Sequence, residues 1–292
     1  MYAYPSVNEF LFFSFSIFWG RGGQGSALDS ANQLIYIFGG ARAGYDFNDI
    51  ARFNVNGKNW VALHSRNRPP EGRQKHSVAF YNGTLIVFGG LKSNGEILGD
   101  LWQFDIQTSL WKSLSVPSWI VPRYGHSATV IGGKMIIFGG VVLTHSKSLP
   151  LQATSELATF SFATGEWAVE HPISTSHGTP SQRHSHAAVA IVSDLYVIGG
   201  AGGADLEEAQ DSLWKYSVDT KTWMLLSGPS VNDSEILGRY DAAACVHNDA
   251  SILFAGGQTN SVVRDDVYSL WVGEHLPVKA LSPFHLVSPT SM

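Results

Sequence analysis

Five short apolar runs, each closed by a pair of glycines, set the rhythm of the chain. They are Leu34 to Gly40 (LIYIFGG), Leu85 to Gly90 (LIVFGG), Met135 to Gly140 (MIIFGG), Leu195 to Gly200 (LYVIGG) and Ile252 to Gly257 (ILFAGG). None alternates apolar with polar residues, so each predicts a short strand buried on both faces. The pairs stand at Gly39-Gly40, Gly89-Gly90, Gly139-Gly140, Gly199-Gly200 and Gly256-Gly257, in steps of 50, 50, 60 and 57 residues. Roughly sixteen residues before each pair stands an arginine: Arg73, Arg123, Arg183, Arg239 and, less regularly, Arg21. Three of these are followed, three positions on, by His76, His126 and His186. Beyond each pair an acid opens an alternating run, as in Asp49-Ile50, Asp100-Leu101-Trp102 and Asp266-Val267-Tyr268. A polar turn then leads to Trp60, Trp111, Trp167 and Trp223.

Each unit therefore predicts four strands. One follows the arginine, as from His76 to Tyr81, and the apolar run is the second. The third carries the spaced aromatic at Trp102, Trp214 or Tyr268, and the fourth begins at the terminal tryptophan. A sheet whose second strand is buried on both faces needs a neighbour on each side, which radial stacking provides. In these residues the chain resembles the kelch-repeat family. Glycine pair, spaced aromatic and terminal tryptophan recur in that family's order and at its period of about 50 residues, over residues 21–271 of this chain. The resemblance implies an all-β fold, a kelch-type β-propeller of four-stranded antiparallel blades, in a family whose members usually have six or seven. Five repeats are legible, and the fifth has Trp271-Val272-Gly273-Glu274-His275 in place of the terminal tryptophan. That leaves residues 1–20 as an apolar N-terminal segment and 272–292 as a closing strand or tail. Together these could complete a sixth blade from both ends or simply close a five-bladed ring.

Composition narrows the picture. The 292 residues include 30 Gly and 12 Pro, with 44% hydrophobic and 15% charged residues, a turn-rich chain with ample material for a core and no general disorder. A net charge of −5 offers no sequence-independent grip on phosphates and speaks against a nucleic-acid partner. One cysteine, Cys245, excludes an intrachain disulfide and a multi-cysteine zinc site. Its setting, Ala242 to Val246, reads as a buried strand. Residues 10–19 (FLFFSFSIFW) are too short to span a bilayer. They suit a buried strand or the core of a signal peptide, although no Lys or Arg precedes them. The expected location is cytoplasmic, with secretion the alternative if that run is a signal.

Alternating strand directions place the arginine segments, the acids and the loops after the glycine pairs on one face. Those loops are Leu91 to Gly99, Val141 to Ser155 and Ala201 to Gln210; short turns such as Asn82-Gly83, Gly132-Gly133 and Asp219-Thr220-Lys221 lie opposite. Long loops on a rigid scaffold are where binding concentrates. The candidates for partner contact are Arg73, Arg123, Arg183, Arg239, Tyr124 and Tyr240, with His76, His126 and His186. The arginines recur with Asp100, Glu156, Asp211 and Asp266, so forked bonds that fix loops are their competing role. The glycine pairs and the four terminal tryptophans read as structural. The histidines fall in separate repeats, too far apart for one metal ion. The glycine pairs are not phosphate loops, because no helix period follows them.

Two kelch-type enzymes test the family's chemistry. Galactose oxidase needs a cysteine joined to a tyrosine, for which Cys245 is the sole candidate. The iron ligands of plant nitrile-specifier proteins match at Glu207 and Asp211 but meet Lys215 in place of histidine. The chain is therefore expected to be a non-catalytic scaffold, with no cofactor or metal and no transmembrane segment, binding a protein or peptide through the loop-rich face. The alternatives are an enzyme acting on a sugar or small molecule at the channel mouth, and a secreted or cell-surface recognition module.

Overall fold

The computed structural model describes residues 20–281 other than 145, 147–149, 174, 177, 228–233, 249, 260–261 and 273–279. The apolar run at 10–19 and the last eleven positions of the chain lie outside the described residues. The chain divides into two compact units, residues 1–116 and 117–292. Each is built from four-stranded antiparallel sheets in which spatial order follows sequence order.

Among the described residues the first unit holds two four-stranded sheets. One contains Gly25–Asp29, Leu34–Phe38, Ile50–Asn54 and Asn59–Leu63, and the other Ser77–Tyr81, Thr84–Leu91, Ile97–Asp105 and Leu110–Leu114. They pack through Tyr36, Phe38 and Ile50 of the first sheet against Val78, Leu85, Val87, Phe104 and Trp111 of the second. The ring of Trp111 lies 5.3 Å from that of Phe38 and 5.0 Å from that of Phe104. The terminal tryptophan of one repeat thus fills the space beside the glycine pair of the repeat before it.

Among the described residues the second unit holds three four-stranded sheets. The third sheet has Ser127–Ile131, Lys134–Phe138, Leu157–Ser161 and Trp167–Glu170; the fourth has Ala187–Ile191, Asp194–Ile198, Leu213–Ser217 and Thr222–Ser227. The fifth has Ala243–Asn248, Ser251–Ala255 and Val267–Trp271, with Ala280–Leu281 pairing at its edge. The run of the fourth sheet shows why these segments carry no polar alternate. Leu195 and Val197 join the core shared with the third sheet, and Tyr196 and Ile198 join the core shared with the fifth. Period-two alternation sends successive side chains into two different cores. Trp223 repeats the role of Trp111, packing 5.1 Å from Phe138 of the preceding sheet.

Helix among the described residues is confined to one turn, Ser234–Leu237, as the lack of a helical period predicted. The fifth sheet brings a correction: Cys245 is exposed, not buried. It pairs with Leu253, whereas Ala244 pairs with Phe254, which is fully buried against the fourth sheet. Cys245 therefore projects from the opposite face. The expectation had assumed that both faces of this strand are covered.

Candidate functional site

The first strand of each sheet is preceded by an arginine whose side chain runs inward. Arg73, Arg123, Arg183 and Arg239 are at most 1% exposed, which is rare for a cation unless it is paired. Arg73 donates from Nη1 to the carbonyl of Gly89 at 3.0 Å and to Asp100 Oδ1 at 2.5 Å, and from Nη2 to Asp100 Oδ2 at 2.9 Å. Its Nε donates to the carbonyl of Glu71 at 3.0 Å. Arg123 repeats the pattern with Gly139 at 3.3 Å, Val121 at 3.1 Å and the carboxylate of Glu156. Arg239 does so with Gly256 at 3.1 Å and Asp266 at 2.5 Å. Arg21 joins the set by binding Gly39 and both oxygens of Asp49. One planar fork therefore fastens the end of the second strand to the start of the third.

Arg183 departs from the expected pairing. Asp211 makes no direct bond to it. Nη1 donates to the carbonyl of Gly199 at 2.9 Å and to Ser212 Oγ at 3.2 Å, and Nη2 to Ser181 Oγ at 3.0 Å. Ser212, not Asp211, stands two positions before the spaced aromatic Trp214, the register of Asp100 with Trp102 and Asp266 with Tyr268. Burial pulls the Arg183 guanidinium down to about 10, only partly opposed by Asp211. Burial works to raise the carboxyls of Asp100 and Asp266, but bonds and charge from Arg73 and Arg239 hold both below their ordinary values.

Backbone bonds carry the same segments across to the neighbouring sheet. Within the units, the Gly40, Gly140 and Gly200 amides donate to the carbonyls of Arg73, Arg183 and Arg239 at 2.8–2.9 Å. A Cβ on Gly139 would lie 2.5 Å from the Arg183 oxygen, and its φ of 68° is one that L side chains rarely adopt. Two residues beyond each arginine the chain turns left-handed, with φ of 53° at Lys75, 51° at Ser185 and 56° at Asp241. These amides also reach the previous sheet, where Lys75 meets Gly23 at 2.7 Å, Ser185 meets Gly125 at 2.7 Å and Asp241 meets Ser185 at 2.9 Å.

His76 and His186 belong to these sheet-to-sheet contacts. His76 Nε2 donates to the carbonyl of Phe38 at 3.1 Å, and its ring meets the Phe38 ring edge-on at 5.3 Å. His186 Nε2 lies 2.9 Å from Ser127 Oγ, with its ring 5.3 Å from Phe138. His126 is likewise buried. In His76 and His186 the buried Nδ1 has no hydrogen-bond partner, so a second proton there would find no acceptor. Burial, followed by the nearby Arg73 or Arg183, lowers both pKa values to about 3. Among the described residues no group of three or more His, Cys, Asp or Glu is placed to hold a metal ion.

The residue after each arginine pairs with the loop that follows the glycine pair. Gly22 bridges Ala41, Gln74 bridges Leu91, Tyr124 bridges Val141, His184 bridges Ala201 and Tyr240 bridges Gln258. Beyond these bridges project the hairpins at residues 41–46 and 201–209, the strand pairs Val141–Leu143 with Leu151–Ala153 and Gln258–Thr259 with Val262–Val263, and the extended ends of Thr84–Leu91 and Ile97–Asp105. Each sheet thus puts its arginine clamp and its variable loop on one edge, with turns such as Asn82-Gly83 and Gly132-Gly133 at the other. Tyr124 and Tyr240 are half-buried at the base of this loop-rich edge. The four arginines and three histidines lie beneath it and do not present their charged or polar groups to solvent.

Two features escaped the sequence reading. Trp102 Nε1 donates to Asp100 Oδ2 at 2.6 Å and Trp214 Nε1 to Ser212 Oγ at 3.0 Å, so these indoles steady the clamp as well as fill the core. The recurring acid-x-aromatic spacing was the available signal. The left-handed residue two positions beyond each arginine had none, because Lys, Ser, Asp and Gly share no side-chain property.

Residues 16–200 and 117–275 match the KLHDC2/KLHL20/DRC7 Kelch-repeats domain. The chain belongs to the kelch-repeat family. Kelch relatives include the leucine-zipper-like transcriptional regulator 1 homolog of Drosophila melanogaster, 26% identical over 80% of this chain and 29% of that protein. Human host cell factor 2 is 27% identical over 81% of this chain and 31% of its own length. Kelch domain-containing protein 10 of Rattus norvegicus is 30% identical over 67% of this chain and 47% of its own. The kelch chain spans about three-tenths of the length of the first of these relatives. Its four-stranded antiparallel sheets are blades of the kelch β-propeller class.

Two kelch-blade predictions follow from this geometry. Ser212 Oγ accepts from Arg183 and Trp214, the donor pair that meets a carboxylate at Asp100, so Ser212→Asp completes the fourth clamp. Denaturant unfolding is expected to show a gain of about 1–2 kcal/mol; a loss would mean that the fourth blade has no room for a carboxylate. The second concerns acid. His76 and His186 stay neutral in the fold down to about pH 3 but take up protons near pH 6.5 when unfolded. Stability is therefore fully present above pH 6.5 and falls as pH drops below it, by on the order of 1–2 kcal/mol per histidine by pH 5. His186→Gln removes one share of that slope, and an unfolding free energy flat from pH 7.5 to 5 contradicts the assignment.

Proposed function

We propose that the chain is a non-catalytic scaffold that binds a protein or peptide partner through its loop-rich edge. The observation that supports this most is the separation of tasks within each blade. The guanidiniums of the clamp are engaged in internal bonds, while the hairpins beyond it differ in length and sequence. Several hairpin side chains are large, apolar and unusually exposed, among them Tyr45 and Leu143 at 64% and Val262 at 54%. Such residues favour a protein surface as partner. Arg73, Arg123, Arg183, Arg239, Tyr124, Tyr240 and the three histidines act on binding from below, by fixing where the hairpins stand.

No helix among the described residues is long and apolar enough to cross a membrane. The net charge of −5 favours a protein over a nucleic acid. A free, exposed Cys245 fits a reducing compartment such as the cytoplasm. A partner recovered with the purified chain is expected to protect amides at residues 41–46, 91–97, 141–153 and 201–209 in hydrogen exchange. Protection centred instead on Asn82-Gly83, Gly132-Gly133 and Asp219 to Lys221 places the partner on the opposite edge and overturns the proposal.

A further inference from the structure

The loop-rich edge of the first unit contains a cavity of about 380 Å³ between the hairpin at 41–46 and the segment leading into the second blade. Its acids are already engaged. Asp46 accepts from Ser93 N and Ser93 Oγ, both at 2.7 Å, and Glu71 is paired with Lys92 at 2.8 Å. Its other cation is not. Arg68 is exposed and, among the described residues, has no hydrogen-bond or ion-pair partner. Beside it the cavity is walled by Pro69, Pro70 and the exposed ring of Tyr45. Among the described residues the lining thus holds one cation, Arg68, that no internal partner claims.

The geometry points to this cavity as a subsite for an acidic side chain of a bound peptide, with Arg68 as its anchor. The inference rests on the loop-edge reading above. An unpaired guanidinium offers five donors in a planar fork matched to a carboxylate. Proline and tyrosine walls supply rigid apolar surface at low entropic cost and reduce the solvent that would screen the pair. Both oxygens of Asp46 accept from Ser93, and Glu71 Oε2 accepts from Lys92, so neither carboxylate is bonded to Arg68. The occupant is thus a peptide with Asp or Glu at the position that enters the cavity.

The test is selection of random nonapeptides on the full chain, followed by affinity measurement of the winners. Enrichment of Asp or Glu at one position is expected, with affinity falling tenfold or more in Arg68→Glu and on replacing that acid by its amide. Arg68→Lys should recover only part of the loss. Tyr45→Ala serves as a second variant, and unchanged melting shows that each variant folds. No acidic preference, no selected binder, or an acidic preference indifferent to Arg68→Glu overturns the subsite. A hydrogen-exchange footprint of the same peptides separates the two levels of the argument. Protection on other loops of the same edge removes the Arg68 subsite alone, and protection on the opposite edge removes the loop-edge reading with it.

Discussion

A guanidinium taken almost wholly out of water has to satisfy five N–H donors and one charge from fixed neighbours. That demand organises each repeat. The carbonyl that ends the apolar run and the acid that opens the third strand converge on Arg73, Arg123 and Arg239, and Gly199 with Ser212 does so on Arg183. The loop between these two strand ends is thereby tethered at its base, whatever its length. Variation in the hairpins costs the fold little, since their anchor points belong to the clamp.

The clamp also sets the spacing of adjacent sheets. The arginine carbonyl receives the second glycine's amide from the preceding repeat, which brings two backbones closer than a Cβ allows. Buried ion pairs give modest net stability, because desolvation offsets much of the attraction. Their effect is on uniqueness: a misplaced loop would strand a buried cation, at a cost of several kcal/mol. Bulk stability comes instead from the shared apolar cores, where Trp111 and Trp223 lie against Phe38 and Phe138. One interaction selects the arrangement and the other supplies most of the energy.

The strands, their order and the loop-rich edge were legible in the sequence because period-two burial and glycine geometry act locally. The role of the arginines was legible only as a choice. Periodicity placed Arg73 beside Asp100, but burial depends on neighbouring sheets that a single repeat does not contain. The Arg183 pairing was misjudged for a chemical reason: Asp211 offered a charge, while the strand's register delivered Ser212. Cys245 shows the limit of apolar surroundings as a guide, since Ala242 to Val246 reads the same whether one face or two are covered. Arg68 carried no repeat signal at all, because the cavity it lines arises where two successive repeats meet.

If the arginine segment joins neighbouring sheets, damage to one clamp has to spread backwards by one repeat. Amide hydrogen exchange of Arg239→Met tests this directly within the second unit. Exchange at Gly200, whose amide donates to the Arg239 carbonyl at 2.9 Å from the preceding sheet, should rise tenfold or more, with Lys134–Phe138 of the third sheet unchanged. Full protection at Gly200 while the fifth sheet alone loosens would contradict the account.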